Sequence, residues 1–491
     1  MFQSTHLRHL HRNWTDVITS SLNCFTFGSL TNIVISVIHQ ICSNIDQIAI
    51  AEYPNNIPAD YAVSQLESLT VLCHYCLLDN TQQTTRTSLF SQSYSQTSGV
   101  TAQSSNTGQL LNNIVHAILS SPQSNENKTR TAQIQAARNA VLNHLPVIVA
   151  SVARLWDTTV GQSRQVKQQM LEFLSPISLH HGTHFLAAVA VAWEQRSDST
   201  RRNSWPISSS ASSSAVTAST KLSNSTATSD RKMSTPPPID ISSRYLPQAC
   251  PEQLNLVKLV SSIRVMQMDQ FVQTLHQVVK MPPPSNIHSS LSPGSIEVSA
   301  LELFYFYMKG APGPQLADCW ISLLALLRDG ISLIPPAQFV ILVILNEFVQ
   351  RCPQVPFPDR KDLRDLHDVT SRLVEALSNV AGARLEQTTW LRRNLAVKDD
   401  PPQTPYDVKE SSTSVGNQQY SVQAQSVMAL VLANLLDVAF GSQEKDKVVT
   451  IITTLMYNIT PYLKNHTTRN IPSFYACSQL LASLSGYQVR Y

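Results

Sequence analysis

Three histidines crowd the stretch SPISLHHGTHFLAAVAVAW, residues 175–193: His180, His181 and His184. Imidazoles four residues apart share a helix face and can hold a zinc ion, the start of a metal-dependent hydrolase site. That chemistry also needs a third ligand, a hydrogen-bonded partner behind each ring and a general base. Here Gly182 interrupts the pair, the pattern is not HExxH, and Glu194 lies beyond an apolar run. The residues favour a plainer reading. Pro176 precedes a helix, the histidines occupy its first turn, and FLAAVAVAW is buried behind them.

Other groups invite similar scrutiny. Cys73 and Cys76 in VLCHYCLL form a CxxC, half of a zinc site or a redox pair. No second pair accompanies them and the surroundings read as an apolar helix, so they are expected to be packed thiols. LEQTTWLRRNLAVK, residues 385–398, joins Trp390 to Arg392 and Arg393. A tryptophan followed by arginines is the composition of a protein-interface anchor, but the residues favour a tryptophan packed between neighbouring helices with the two arginines pairing nearby acids. RRNSW places two arginines ahead of Ser204, the approach basophilic kinases use, which makes Ser204 a candidate phosphosite. The sequence contains no GxSxG, Walker A, GxGxxG or kinase signature set, and nothing assembles a nucleophile with its base and oxyanion donors. The expectation is therefore no catalytic residue, no metal, no cofactor and no small-molecule substrate.

These residues must be positioned by a long chain. It has 491 residues, 43% apolar and only 14% charged, with 36 basic and 33 acidic side chains. Such length exceeds one compact core, and such a balance gives no general attraction to nucleic acid. Gly is scarce at 13, which disfavours a chain of many tight β turns. The eight cysteines are scattered rather than arranged as a disulfide framework, consistent with a reducing compartment. MFQSTHLRHLHRNW has no apolar core, so no signal peptide is visible. The apolar run FVILVIL, from Phe339 to Leu345, falls far short of a bilayer span.

Helical periodicity dominates. Leu363, Leu366, Val369, Leu373, Leu377 and Val380 mark one face of a helix over 359–380, with Asp359 as its N-cap and Lys361–Asp365 and Arg364–Asp368 as pairs on the wet side. A helix over 421–440 follows. Another, capped by Ser442, carries the face Val448, Ile452, Leu455, Met456, Ile459 and Leu463, and a third begins near Pro472. The fold class expected is all-α: a degenerate helical-repeat α-solenoid, HEAT/armadillo-like, with disordered Ser/Thr-rich linkers. Helical regions are expected at 1–80, 109–196, 248–397 and 421–491, with linkers at 81–108, 197–247 and 398–420. The last region carries no polar capping helix and so reads as truncated, as in a fragment of something longer.

Several of these stretches together resemble the Dopey family of membrane-traffic proteins. They are SPISLHHGTHFLAAVAVAW, FVILVILNEFV (339–349), KDLRDLHDVTSRLVEAL (361–377), LEQTTWLRRNLAVK, PYLKNH (461–466) and LLASLSGYQ (480–488). The resemblance implies a large, non-enzymatic helical scaffold acting in protein transport between Golgi and endosomes. It implies a cytoplasmic protein, peripheral on trans-Golgi network and endosome membranes, partnered by a large protein related to Arf guanine-nucleotide exchange factors. The alternatives are a helical-repeat transport receptor or adaptor with other cargo, and a metal-dependent enzyme using His180, His181 and His184. Charges alternate in sign along DRKDLRDLHD, which argues against a nucleic-acid groove.

Overall fold

A computed structural model describes residues 8–22, 29–50, 59–78, 123–197, 245–263, 266–284, 294–352, 360–382, 413–440, 444–464 and 471–488. Among them the regular structure is helical and contains no strand. The chain folds as two compact units, Met1–Arg196 with Pro251–Leu291, and Ser197–Cys250 with Ser292–Tyr491.

The first unit contains α1 (Arg8–Ser21), α2 (Ser29–Ile50), α3 (Ala59–Leu77), α4 (Gln123–Trp156), α5 (Arg164–His180), α6 (Gly182–Gln195), α7 (Pro251–Ser262) and α8 (Met268–Lys280). Helices two apart stack on one another: α1, α3 and α5 form one layer, and α2, α4, α6 and α8 the other. Polar contacts give their directions. His11 shares a 2.8 Å hydrogen bond with Tyr61, while Asp46 takes both guanidinium contacts of Arg154 at 3.0 and 2.7 Å, so stacked helices run parallel. Between layers, Asn44 near the end of α2 accepts from the Gln40 amide one turn earlier, at 3.2 Å, and donates to Gln65 near the start of α3, at 3.1 Å, so consecutive helices run antiparallel. This alternation is the geometry of stacked helical hairpins.

The second unit contains α9 (Ser295–Gly310), α10 (Gly313–Asp318), α11 (Trp320–Gly330), α12 (Pro335–Arg351), α13 (Arg360–Gly382), α14 (Thr413–Phe440), α15 (Lys445–Lys464) and α16 (Ile471–Gln488). Its layers are α9, α12, α14, α16 and α11, α13, α15. Pro335 and Pro336 open α12, where their missing N–H groups are not needed. The Gln338 amide ties the preceding loop by donating to the Ile331 and Leu333 carbonyls at 2.8 and 2.9 Å. From Ala337 to Leu345, α12 is buried on every side, which is why FVILVIL carries no period.

Several expectations need adjustment. α14 begins at Thr413, inside the stretch read as a linker over 398–420, because polar residues in TSVGNQQY extend the helix before its apolar part. Asp365 pairs with Arg328 of α11 at 2.9 Å rather than with Lys361, and Asp368 with Arg372 at 3.1 Å rather than with Arg364. α15 buries Val448, Ile451, Leu455, Ile459 and Tyr462, while Ile452, Met456 and Leu463 are only half-buried. The α13 and α14 side of this helix selects Ile451 and Tyr462 in their place. Asp359 and Ser442 lie outside the described residues.

Among the described residues, two helices hold windows long and apolar enough, by length and composition, to cross a bilayer: Leu30–Ile50 and Tyr420–Phe440. The expectation built on FVILVIL missed them because their apolar residues are interspersed with polar ones. Both windows serve as packing surfaces here. That of α14 is 67% buried, against α12, α13, α15 and α16. That of α2 carries Asn44 and Asp46, which are bonded to α3 and α4.

Candidate interaction surface

The histidine cluster sits at an elbow. α5 runs to His180 and α6 starts at Gly182, with His181 as the joint. Pro176 lies inside α5 rather than ahead of the helix, so the histidines do not follow a proline start. The joint is close because Gly182 packs against Thr274 of α8; a Cβ there would lie 3.3 Å from the threonine methyl. The three rings serve different ends. His181 Nε2–H donates to the carbonyl of Leu77, the last residue of α3, at 2.9 Å. His184 is half-buried, and burial, with His181 adding to it, holds its pKa below the usual imidazole value. His180 points to solvent. Glu194 belongs to the far end of α6. Among the described residues no group of three or more His, Cys, Asp or Glu is placed to hold a metal ion.

His181 belongs to a wider pattern in which side chains cap the last carbonyls of neighbouring helices. The last turn of α3 also receives Arg138, whose Nε–H reaches Cys76 O at 3.1 Å. His74, itself in the last turn of α3, donates instead to Phe173 O in the interior of α5, at 3.1 Å, and stacks on the Phe173 ring. In the second unit the arrangement is reciprocal. His367 of α13 donates to Ala439 O at the end of α14, at 2.8 Å, with its ring stacked on Phe440. Ser421 and Gln425 of α14 donate to Ala381 O at the end of α13, at 2.5 and 3.2 Å. Terminal carbonyls have no partner within their own helix and carry partial negative charge, so donors from an antiparallel neighbour both satisfy them and lock the pair in register.

The cysteines are packed. Cys42, Cys73 and Cys76 are buried, and burial pushes the Cys42 and Cys76 thiols up to about 12 and the Cys73 thiol well above the ordinary value. Thiols held protonated are poor nucleophiles and poor metal ligands. The cysteines described, which include all but Cys24, are free.

Trp390, Arg392, Arg393 and Ser204 lie outside the described residues. Among the described residues, grooves form between parallel helices of one layer in each unit. In the first unit the groove between α3 and α5 has a volume of about 880 Å³. In the second, the groove between α13 and α15 holds about 330 Å³ and is lined by Ser371, Glu375 and Ser378 of α13 and by Lys447, Thr450 and Thr454 of α15. Sequence reading missed both, because a groove is made by two helices far apart in the chain.

Comparison with known proteins agrees with this architecture. Residues 1–79, which include α1 to α3, match the model of the DOP1 TPR domain. The Drosophila melanogaster protein "Protein DOP1 homolog" is 62% identical over 491 residues, covering 99% of this chain and 18% of its own length. "Protein DOP1B" of Xenopus laevis is 31% identical over 97% of this chain and 20% of its own. "Protein pad-1" of Caenorhabditis elegans is 22% identical over 98% of this chain and 25% of its own. The chain thus spans about a fifth to a quarter of the length of the curated relatives it matches. No solved structure is detectably similar to it. With a relative matching almost every residue at 62% identity, and stacked helical hairpins where the family's TPR domain is expected, the chain belongs to the Dopey family.

Proposed function

We propose that the chain acts as a non-enzymatic helical scaffold in protein transport between Golgi and endosomes. It works with a partner related to the large Arf guanine-nucleotide exchange factors and is peripheral on the cytoplasmic side of trans-Golgi network and endosome membranes. The observation that supports a scaffold is how the chemically capable side chains are used. His181, His367 and Arg138 cap helix ends, His74 ties α3 to the interior of α5, and the buried cysteines fill the core. A stacked-hairpin array presents long faces of fixed side chains to a partner, which suits assembly better than turnover. Membership in the Dopey family supports the transport setting.

Affinity capture of the intact protein from its own cells, followed by identification of what co-purifies, tests the reading. A large relative of Arf exchange factors should be recovered, and the tagged protein should sediment with trans-Golgi and endosome membranes and be released by alkaline wash. Recovery of nuclear-transport cargo or ribonucleoproteins instead would assign the array to a different adaptor role. Stoichiometric zinc in the purified protein would return the histidine cluster to consideration.

A further inference from the structure

We propose that the groove between α3 and α5 is a docking site for an extended acidic segment of a partner protein. The groove runs along two parallel helices and is lined on α5 from Arg164 to Pro176, with Thr70 and His74 on the α3 side. At a rise of 1.5 Å per residue that wall is about 20 Å long, which an extended chain of about six residues spans. Its width follows from the residues that face it. Thr70 turns its hydroxyl back onto Leu66 O at 2.7 Å, and Ser175 turns its own onto Leu171 O at 2.6 Å, so neither reaches across.

The charge distribution selects the occupant. Arg164 and Lys167 stand one turn apart on the groove wall, and neither has a carboxylate partner among the described residues. Lys167 is held instead by the face of Trp156, 5.3 Å from its ring centroid, which fixes the ammonium without neutralising it. Glu172, the acid on the same wall, is occupied by the Gln168 amide at 2.9 Å. Asp157, next to Trp156, is taken by Arg196 at 3.4 Å. The first turn of α5 contains no acidic residue, and Ser163 caps only the Val166 N–H, so the positive end of the helix adds to the same field. Leu171 and Pro176 leave an apolar far end. The groove therefore fits carboxylates at the Arg164 end and an uncharged or apolar side chain beyond. A narrow strip of extended peptide satisfies that pattern, whereas a planar membrane cannot follow a groove walled by two helices.

The test uses the intact 491-residue chain and a fluorescein-labelled peptide of alternating Glu and Ser, with a Lys and Ser peptide of equal length as control. Fluorescence anisotropy should show saturable binding of the acidic peptide alone, weakening as ionic strength rises. Combined Arg164→Glu and Lys167→Glu should weaken binding at least about tenfold, the loss expected when an attractive site becomes repulsive. Lys167 is half-buried against Trp156, whereas Arg164 is exposed, so Arg164→Glu alone should melt as the unsubstituted protein does and should also weaken binding. Charge reversal at Arg372 and Lys445, in the other unit, should leave binding unchanged. Three results would overturn the proposal: no saturable binding of the acidic peptide, equal binding of both peptides, or undiminished binding by the double variant. Binding of phosphatidylserine vesicles that the double variant loses, without binding of the acidic peptide, would overturn it in favour of a lipid surface.

Discussion

His367 concentrates two tests at the scale of the residue. Its ring bridges α13 to the end of α14 through Ala439 O and lies flat on Phe440, 4.6 Å between centroids. Replacing it with Ala leaves a buried carbonyl unpaired and removes the stack, which should cost about 1–3 kcal/mol and lower the melting temperature. The ring also makes stability depend on pH. Burial, and secondarily Lys447, hold its pKa below 6.5, outweighing the Ala439 carbonyl and Glu444. His184 is lowered in the same direction, by burial and by His181. As pH falls below about 6.5 the unfolded chain therefore takes up these protons first, and the stability present at neutral pH is progressively lost. Urea midpoints should decline between about pH 7 and pH 5, with a shallower decline in His367→Ala. Gly294 supplies a backbone test. Its φ is 80°, and a Cβ would meet Ile334 Cδ1. Gly294→Ala should destabilise by about 1–2 kcal/mol from the left-handed backbone alone, with the Ile334 contact adding to it. Gly310→Ala, where nothing lies within 4 Å, should be neutral or slightly stabilising. Equal losses from the two substitutions would contradict this account.

Among the elements, α6 packs against four helices of the first unit, and its composition explains how. Phe185 to Trp193 are all buried, and four of those residues are alanines: Ala187, Ala188, Ala190 and Ala192. Small side chains on several faces let α4, α5, α7 and α8 approach together. Ala190→Leu inserts volume with no space to receive it and should cost about 1–3 kcal/mol. Denaturant unfolding of the two proteins side by side measures this. A cost below about 0.5 kcal/mol would mean that the neighbouring helices yield easily, against the close packing typical of interiors. The α13–α14 pair shows the complementary principle: here polar reciprocity, with His367 at one end and Ser421 and Gln425 at the other, fixes the antiparallel register.

For the whole molecule, the thiols report on the state of the chain. Cys42, Cys73, Cys76, Cys319, Cys352 and Cys477 are buried, Cys250 is half-exposed, and all seven are free. A thiol reagent applied to the native protein without reductant should label Cys250 quickly and the buried set slowly, since attack requires both exposure and thiolate. Denaturant, still without reductant, should expose all eight cysteines of the chain. A count of six in denaturant would reveal a disulfide and remove the reading of the cysteines as free core residues.

What the sequence determined by itself was the helical class and the course of a few helices, α13 foremost. Both are local properties: Leu366, Val369, Leu373 and Leu377 recur at helical spacing, and each is buried as that spacing requires. Leu363, on the same stripe, is 40% exposed, because the end of a face is covered only if a neighbour extends that far. Tertiary structure decided everything that needs a second helix. It chose Ile451 and Tyr462 over Ile452 and Leu463 for the core side of α15, since residues one position apart differ by only 100° around the axis. It gave Asp365 to Arg328 across helices in place of a partner on its own helix. It turned the apparent metal ligand His181 into a cap for α3, 104 residues away in sequence, because a ring nitrogen donates to whichever unpaired carbonyl folding brings within reach. The grooves have the same origin. The α3 and α5 residues that wall the larger one meet only when helices separated by α4 stack in one layer, and no pattern within either helix records that meeting.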